Sequence, residues 1–308
     1  IWSREESFVH AVDGVGFELS RGEVLALAGE SGCGKSTLAL TLMGLEDATA
    51  GRVTFHEEDV THIHGQALKA YRRRIQMIFQ DPYESLNPLM TIEELVGEPL
   101  LVHGLHLDPA SRRQRVLTAL SDAGLKPPET FLRRFPHELS GGQRQRVVIA
   151  SALVLEPEVL LADEPVSMLD VSIRAEILNL LWELCDTRGI AVLLITHDLA
   201  TSAYLADRVA VMYLGRIVEI GKTMDVLEKP AHPYTQALLS VVPVPNPRRR
   251  KERQILQGAP PNAIQIPSGC RFHPRCPKVF DRCPVQDPSL RRVEDGHEAA
   301  CLLIHTEV

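Results

Sequence analysis

The stretch Gly29-Glu-Ser-Gly-Cys-Gly-Lys-Ser-Thr37 decides the fold of this chain. It fits the pattern G-x-x-x-x-G-K-[ST], and it lies between an apolar run at residues 24–28 and a leucine-rich helical pattern that begins at Leu38. Glycines let backbone N–H groups converge on phosphate oxygens, and the start of a helix adds partial positive charge. The stretch therefore predicts a phosphate-binding loop, with Lys35 on the β- and γ-phosphates and Ser36 on Mg²⁺.

The overall composition is that of a folded globular chain. Of its 308 residues, 44% are hydrophobic and 24% are charged, which is near the globular average and excludes a disordered or fibrous chain. The net charge of −7 argues against a protein whose main partner is nucleic acid, because such proteins favour a strongly basic surface. Apolar runs such as residues 190–195 fall far short of the about 20 residues that span a bilayer.

Strand and helix patterns alternate through the first three quarters of the chain. Continuous apolar runs at residues 24–28, 159–162 and 191–195 are typical of parallel strands that are covered on both faces. Residues 143–155 and 171–185 have helical patterns between them, so we predict an α/β fold built on a parallel sheet. Shorter strands are also predicted, with an antiparallel arrangement, at residues 53–55, 209–213 and 216–219.

The composition changes near residue 242, where we place a domain boundary. Residues 243–308 contain 10 of the 21 prolines and carry a net charge of +4, whereas residues 1–242 carry −11. We predict a nucleotide-binding domain at 1–242, with a helical subdomain at about 85–140, and a small C-terminal domain at 243–308. The proline-rich start of that tail favours an extended linker, and the basic run at 248–253 is a solvated part of it or meets anionic lipid or nucleic acid.

Two further groups of polar residues are candidates for phosphate chemistry. Asp163 and Glu164 follow the strand at 159–162, where Asp163 could hold Mg²⁺ through water and Glu164 could deprotonate an attacking water. Residues 139–143 (Leu-Ser-Gly-Gly-Gln) precede a helical run, so Ser140 is predicted to cap a helix and form a second anion cradle. One nucleotide needs one phosphate loop, so the second cradle requires an explanation.

The order of these motifs resembles that of the ABC-type ATPases across about residues 5–225. The resemblance identifies 29–37 as the Walker A loop, Gln80 as the Q-loop glutamine and 139–143 as the signature. It likewise identifies Asp163 and Glu164 as the Walker B end, 167–170 as the D-loop and His197 as the switch histidine. The fold it implies is a P-loop NTPase core with a mixed sheet and a helical subdomain. Met168 departs from the family pattern, which usually has alanine at this place.

The resemblance also implies a role for each matching residue. Glu164 and His197 would be catalytic, and Mg²⁺ would be held by Ser36, Gln80 and Asp163. The second cradle is explained because two such domains face each other head to tail, so that the signature of one binds the ATP of the other. The ATP-binding residues would be Gly29, Ser31, Gly32, Cys33, Gly34, Lys35, Ser36, Thr37 and Gln80, with Phe8 as the candidate adenine-stacking aromatic. The residues that meet the partner's ATP would be Ser140, Gly141, Gly142 and Gln143, with Asp170 in the D-loop.

Four segments narrow the resemblance to the dipeptide and oligopeptide importers, namely residues 80–88, 162–171, 232–239 and 269–276. This resemblance implies an ATPase subunit on the cytoplasmic face of the cell membrane, bound peripherally to two permease subunits. A second ATPase chain, favoured to be different from this one, and an extracytoplasmic substrate-binding protein would complete the transporter. Nickel, glutathione and oligosaccharides stay open as cargo. The main rival is a soluble ABC ATPase that acts on nucleic acid or ribosomes, and a regulatory protein with a vestigial ATPase is a third alternative.

Four of the six cysteines lie in the tail with the spacing C-x₅-C-x₆-C-x₁₇-C, as Cys270, Cys276, Cys283 and Cys301. A small tail with four thiols suggests a metal staple, although the short C-x₂₋₄-C pairs usual for structural zinc are absent. The resemblance to importer tails that hold a [4Fe–4S] cluster favours such a cluster, with Zn²⁺ and free thiols as alternatives. The other two, Cys33 and Cys185, are expected to be packed side chains.

Overall fold

The computed structural model describes residues 8–241, 256, 258 and 261–305. The strands are β1 (Val24–Ala28), β2 (Thr54–Phe55), β3 (Glu58–Asp59), β4 (Ile75–Ile78), β5 (Val159–Asp163), β6 (Ala191–Thr196), β7 (Arg208–Tyr213), β8 (Arg216–Lys222), β9 (Arg291–Glu294) and β10 (His297–Ala299). The helices are α1 (Lys35–Leu42), α2 (Gly65–Arg74), α3 (Pro82–Ser85), α4 (Ile92–Val102), α5 (Pro109–Asp122), α6 (Gly141–Leu153), α7 (Val171–Arg188), α8 (Leu199–Leu205), α9 (Thr223–Glu228) and α10 (Pro233–Val241).

These elements fall into two compact units. The first unit holds residues 8–18, 25–38 and the described residues from 195 onward, and the second unit holds 19–24 and 39–194. The predicted boundary near 242 and the predicted linker with its basic run at 248–253 lie outside the described residues. The division into a domain at 1–242 and one at 243–308 therefore stays a prediction.

The second unit contains the strand sequence β4-β5-β6, with β6 as far as Leu194, and most of the helices. Strand β4 pairs in parallel with β5, with Ile75 opposite Val159, and the side chains of β6 are all buried. The parallel pairing of β5 and the burial of β6 agree with the strands predicted at 159–162 and 191–195. Helix α4 begins at a capping box in which Thr91 accepts from the backbone N–H of Glu94, and α4 packs with α5 and α6.

The first unit contains β1 and the last four strands. Strand β8 pairs antiparallel with β7, as predicted, whereas the parallel pairing of β7 with β1 was not predicted. Strand β10 then adds to the free side of β8, and β9 pairs with β10, both antiparallel. The strands β9 and β10 were not predicted, because they are short and rich in charged side chains.

An aromatic cluster forms part of the core of the first unit. Tyr213, Tyr234 and Phe272 are buried, and the ring centroids of the two tyrosines are 4.7 Å apart. The ring centroid of Phe272 lies 5.2 Å from that of Tyr213 and 5.4 Å from that of Tyr234. Such contacts add about 0.5–1.5 kcal/mol per pair to the burial of apolar area. The cluster joins strand β7, helix α10 and the cysteine-containing segment at 269–276.

Within the part of the chain that the structure describes, every helix is too short or too polar to cross a bilayer.

Candidate nucleotide-binding site

The predicted phosphate loop leads from β1 into α1, and its shape requires glycine. Gly32 and Gly34 have φ of +80° and +107°, in the left-handed region that side chains with a Cβ rarely adopt. A Cβ on Gly34 would lie 1.8 Å from the carbonyl oxygen of Ala11. Strand, glycine turn and helix therefore occur in the order that a phosphate-binding loop needs.

A buried lysine occupies this loop. The side chain of Lys35 is at the start of α1, and its Nζ donates to the carbonyl oxygens of Gly29 at 2.8 Å and Glu30 at 3.0 Å. A buried ammonium is stabilised by an anion, because burial without one carries a large desolvation cost. The pKa of the neighbouring Cys33 thiol is raised, because the effect of burial is larger than the opposing effect of the Lys35 charge. Cys33 is buried, as is Cys185, which agrees with packing roles.

The remaining predicted residues of the loop differ in exposure. Ser31, Gly32 and Ser36 are exposed, while Thr37 is half-buried. The hydroxyl oxygen of Ser36 is the kind of hard donor that Mg²⁺ prefers. Phe8 is also in the first unit, with 68% of its surface exposed, so its proposed contact with adenine stays a prediction.

The acidic pair lies in the second unit, at the end of β5. Asp163 is buried as the last residue of the strand, and Glu164 follows with φ of +46°. This left-handed conformation is strained for a residue with a Cβ and is typical of functional sites. The side-chain amide of Gln80 donates to the carboxylate of Glu164 at 3.1 Å, and Ser167 donates to the Glu164 carbonyl oxygen. The structure thus brings together the Q-loop glutamine and the predicted general base.

The predicted signature forms the start of α6 in the second unit. Ser140 caps the helix by accepting from the backbone N–H of Gln143, whose side chain accepts in turn from the Ser140 N–H at 3.0 Å. The prediction of a serine cap is confirmed. A Cβ on Gly142 would lie 2.6 Å from Cγ2 of Ile173 on α7, whereas one on Gly141 would find its nearest neighbour at 3.8 Å. Gly142 is therefore required for helix packing as well.

Two other predicted residues lie at the ends of loops. Asp170 precedes α7 at the cap position, although its side chain makes no capping hydrogen bond there. His197 follows β6 in the first unit and is exposed. The first unit thus carries the phosphate loop, Phe8 and His197, and the second carries the glutamine, the signature, the acidic pair and Asp170. The roles assigned to these residues remain predictions.

Sequence reasoning missed a contact at the phosphate loop in which Glu30 binds two distant residues. Glu30, inside the loop, pairs with Arg275 at 2.7 Å and donates its backbone N–H to the hydroxyl of Tyr234 at 2.9 Å. Both partners are more than 200 positions away along the chain, so no local pattern connects them to the loop. The segments at 232–239 and 269–276, which contain Tyr234 and Arg275, resemble the peptide importers in sequence, but that resemblance does not predict this contact.

The prediction of a metal cluster in the tail is wrong. Among the described residues, which include all four tail cysteines, no group of three or more His, Cys, Asp or Glu side chains could hold a metal ion. The cysteines form no disulfide and are buried or half-buried, and burial raises the pKa of Cys270 to about 11. Burial also raises the pKa values of Cys276 and Cys301. Neither the [4Fe–4S] cluster nor the Zn²⁺ alternative is supported.

Two family models match this chain. The model described as "ABC transporter" matches residues 12–167, and the model described as "Oligopeptide/dipeptide transporter, C-terminal region" matches residues 218–283. A protein of Brucella ovis is 48% identical over 291 residues, covering 94% of this chain and 91% of that protein. The dipeptide transport ATP-binding protein DppF of Haemophilus influenzae is 45% identical over 296 residues, covering 96% of this chain and 90% of DppF.

Solved structures show the same relationship. The bacterial ABC transporter cassette MJ0796, solved as a dimer bound to ADP and Pi, has a TM-score of 0.64 at 32% identity, covering 72% of this chain and 94% of the cassette. The structure of cbiO1 from Clostridium perfringens has a TM-score of 0.65 at 32% identity, covering 71% of this chain and 84% of cbiO1. With the glycine loop, the acidic pair and the capped signature helix, these matches show that the chain belongs to the ABC transporter family of ATPases.

Proposed function

We propose that this chain is the ATP-binding and ATP-hydrolysing subunit of a transporter that imports dipeptides or oligopeptides. The main support for peptide as the cargo is the match of residues 218–283 to the C-terminal region of oligopeptide and dipeptide transporters. The 45% identity to a dipeptide transport ATP-binding protein over 96% of the chain supports the same cargo. Nickel, glutathione and oligosaccharide remain the alternative cargoes.

The phosphate loop binds the nucleotide in this proposal. The backbone of residues 29–37 surrounds the phosphates, and Lys35 supplies a buried positive charge to them. Mg²⁺, when bound with ATP, neutralises charge on the β- and γ-phosphate oxygens. Hydroxyl, carboxylate and amide oxygens suit this ion, so the hydroxyl of Ser36, the carboxylate of Asp163 and the amide oxygen of Gln80 are its proposed protein ligands. Phe8 is the proposed contact for adenine.

Glu164 is proposed to be the general base. Its carboxylate would accept a proton from the water that attacks the γ-phosphate, which contributes about 10²–10⁴-fold to the rate in enzymes of this kind. The hydrogen bond from Gln80 at 3.1 Å fixes the direction of that carboxylate, and the strained backbone fixes its place at the end of β5. His197 is proposed to hydrogen-bond the γ-phosphate and the attacking water.

A second ATP-binding subunit is part of the proposal. Ser140, Gly141, Gly142 and Gln143 would meet ATP held by that subunit, with Asp170 beside them. We favour a different chain as the second subunit, together with two permease subunits and an extracytoplasmic substrate-binding protein. The complex would hold this chain peripherally on the cytoplasmic face of the membrane, with the helices at about 85–140 toward a permease, and with no nucleic-acid partner.

The test is purification of the chain from detergent-solubilised membranes, followed by mass identification of the proteins that accompany it. The proposal expects two permease subunits and a second ATPase chain, and vesicles containing this complex should take up labelled peptide only with ATP and the binding protein. Co-purification with ribosomes or nucleic acid would instead support the rival soluble ATPase. Uptake of nickel or oligosaccharide without peptide uptake would overturn the peptide assignment.

A further inference from the structure

A carboxylate lies inside the phosphate loop, and an arginine from the C-terminal region pairs with it. Glu30 is the second residue of the loop, and Arg275 donates to both its carboxylate oxygens, Nη1 to Oε2 at 2.7 Å and Nη2 to Oε1 at 3.1 Å. The Arg275 side chain is 6% exposed and that of Glu30 is 27% exposed. A two-point pair of this kind fixes both direction and distance, and its charge-assisted hydrogen bonds are about twice as strong as neutral ones.

A tyrosine holds the backbone of the same loop residue. The hydroxyl of Tyr234 accepts a hydrogen bond from the Glu30 N–H at 2.9 Å. Tyr234 is fully buried in the aromatic cluster with Tyr213 and Phe272, so its ring has a fixed place. Burial raises the pKa of Tyr234, so its hydroxyl remains neutral.

A second arginine of the segment at 269–276 reaches the loop indirectly. Arg271 is 8% exposed, and it donates to the carboxylate of Asp13 and to the carbonyl oxygen of Leu214. The next residue of that turn, Gly215, donates its N–H to the carbonyl oxygen of Cys33 in the phosphate loop at 2.9 Å. Two arginines of one short segment therefore stabilise the loop, one directly and the other through the turn between β7 and β8.

The pairing of Glu30 has an electrostatic consequence for nucleotide binding. A triphosphate carries several negative charges, and a neighbouring carboxylate without a partner would repel it. Arg275 offsets that charge, and its guanidinium does so from a buried position, where water screens it little. The loop backbone at Glu30 is also held in place by Tyr234 before any ligand arrives, which lowers the ordering cost of binding.

We infer that Arg275 and Tyr234 are positioning residues for the phosphate loop, so that the C-terminal region sets the affinity of this chain for ATP. The inference rests on the proposed function, because it takes the loop at 29–37 as the site that binds ATP. It also gives the segment at 269–276 a role that does not require its cysteines to bind a metal. Its arginines and Phe272 connect the C-terminal region to the nucleotide loop.

The test compares four variants with the wild-type transporter. Arg275→Gln leaves Glu30 charged without its ion-pair partner, and we expect MgATP affinity to fall about tenfold, since hydrogen bonds to charged groups are among the stronger ones. Tyr234→Phe keeps the ring and removes the hydroxyl, so a two- to tenfold loss is expected, which is about one hydrogen bond. Adding Glu30→Gln to Arg275→Gln removes the repelling charge and should restore affinity to within about threefold.

The fourth variant is the matched control. Arg292→Gln alters an exposed arginine of the same C-terminal region, paired with Asp295 three residues away, and it should leave affinity unchanged. Affinity is measured by titration with a fluorescent ATP analogue displaced by MgATP, and steady-state hydrolysis gives KM and kcat. A positioning role raises KM in Arg275→Gln and Tyr234→Phe while kcat stays within about twofold.

The outcomes separate the inference from the proposed function. If wild-type protein fails to bind MgATP, the proposed function is overturned. If it binds, and Arg275→Gln and Tyr234→Phe bind as tightly as Arg292→Gln, the inference is overturned while the proposed function stands. If Arg275→Gln binds weakly and Glu30→Gln does not restore affinity, the charge argument is refuted.

Discussion

The contact between α6 and α7 at Gly142 predicts that alanine is not accepted there. A Cβ on Gly142 would lie 2.6 Å from Cγ2 of Ile173, which is 0.8 Å inside the 3.4 Å at which ordinary contact begins. Ile173 is β-branched and lies in a helix, so it has one strongly preferred χ1 rotamer and cannot simply turn away. Overpacking of this kind costs about 1–3 kcal/mol, and the better helix propensity of alanine returns up to about 1 kcal/mol. We expect Gly142→Ala to lower the free energy of unfolding by about 1–2 kcal/mol.

Gly141→Ala is the matched control for this perturbation. Its Cβ would lie 3.8 Å from Cδ2 of Leu169, an ordinary contact, so the free energy of unfolding should stay unchanged or rise by up to about 1 kcal/mol. The added methyl group would nevertheless stand in the proposed cradle for the partner's ATP, and hydrolysis by the transporter should fall. Gly142→Ala should thus lower the stability of the chain, whereas Gly141→Ala should lower hydrolysis without lowering stability.

The assay is urea unfolding followed by circular dichroism, with hydrolysis measured on the same preparations. Each glycine variant is also made in an Ile173→Ala background, where the Gly142→Ala cost should shrink by about 1 kcal/mol or more because the clashing methyl group is gone. Equal destabilisation by both glycine variants, or the same Gly142→Ala cost in both backgrounds, would refute the packing argument.

Three other residues give predictions of their own, one from a backbone clash, one from burial and one from a helix cap. Gly34→Ala should abolish MgATP binding, measured by calorimetry, because its Cβ would lie 1.8 Å from the Ala11 carbonyl oxygen and the loop would have to move. Burial lowers the pKa of His232 to about 3 against about 6.5 in the unfolded chain, so its contribution to stability is complete above pH 6.5 and is lost as pH falls below it. Between pH 7 and 5 that loss is about 2 kcal/mol, and His232→Asn should remove this part of the pH dependence of urea unfolding. Thr91→Ala breaks the capping box of α4 and should lower the free energy of unfolding by about 1 kcal/mol in the same assay.

Local sequence patterns were sufficient for the parts of the fold that bear the nucleotide motifs. The apolar runs of four or five residues in β1, β5 and β6 predict buried strands, because short runs of this kind are typical of a strand covered on both faces. The glycine loop and the Ser140 cap are equally local, since φ above zero and an unpaired helix N-terminus each require particular residues.

Contacts between distant segments could not be predicted in this way. Strand β9 has the sequence Arg-Arg-Val-Glu, which has no strand signal of its own, and it forms because β10 offers it a pairing edge. The pair of Glu30 with Arg275 joins positions 245 apart. The metal cluster was predicted wrongly for a related reason, because neither four thiols in a small tail nor a resemblance in sequence distinguishes thiols that ligate a metal from thiols that pack in a core.

Glu164 is the proposed base in the hydrolysis of ATP by this chain. The most direct measurement is single-turnover hydrolysis of MgATP by the assembled transporter, wild type against Glu164→Gln, with ATP binding measured on the same samples. The assignment of Glu164 as the base predicts that Glu164→Gln binds ATP within about threefold of wild type and hydrolyses it about 100-fold or more slowly. Hydrolysis by Glu164→Gln at the wild-type rate, with binding intact, would contradict it.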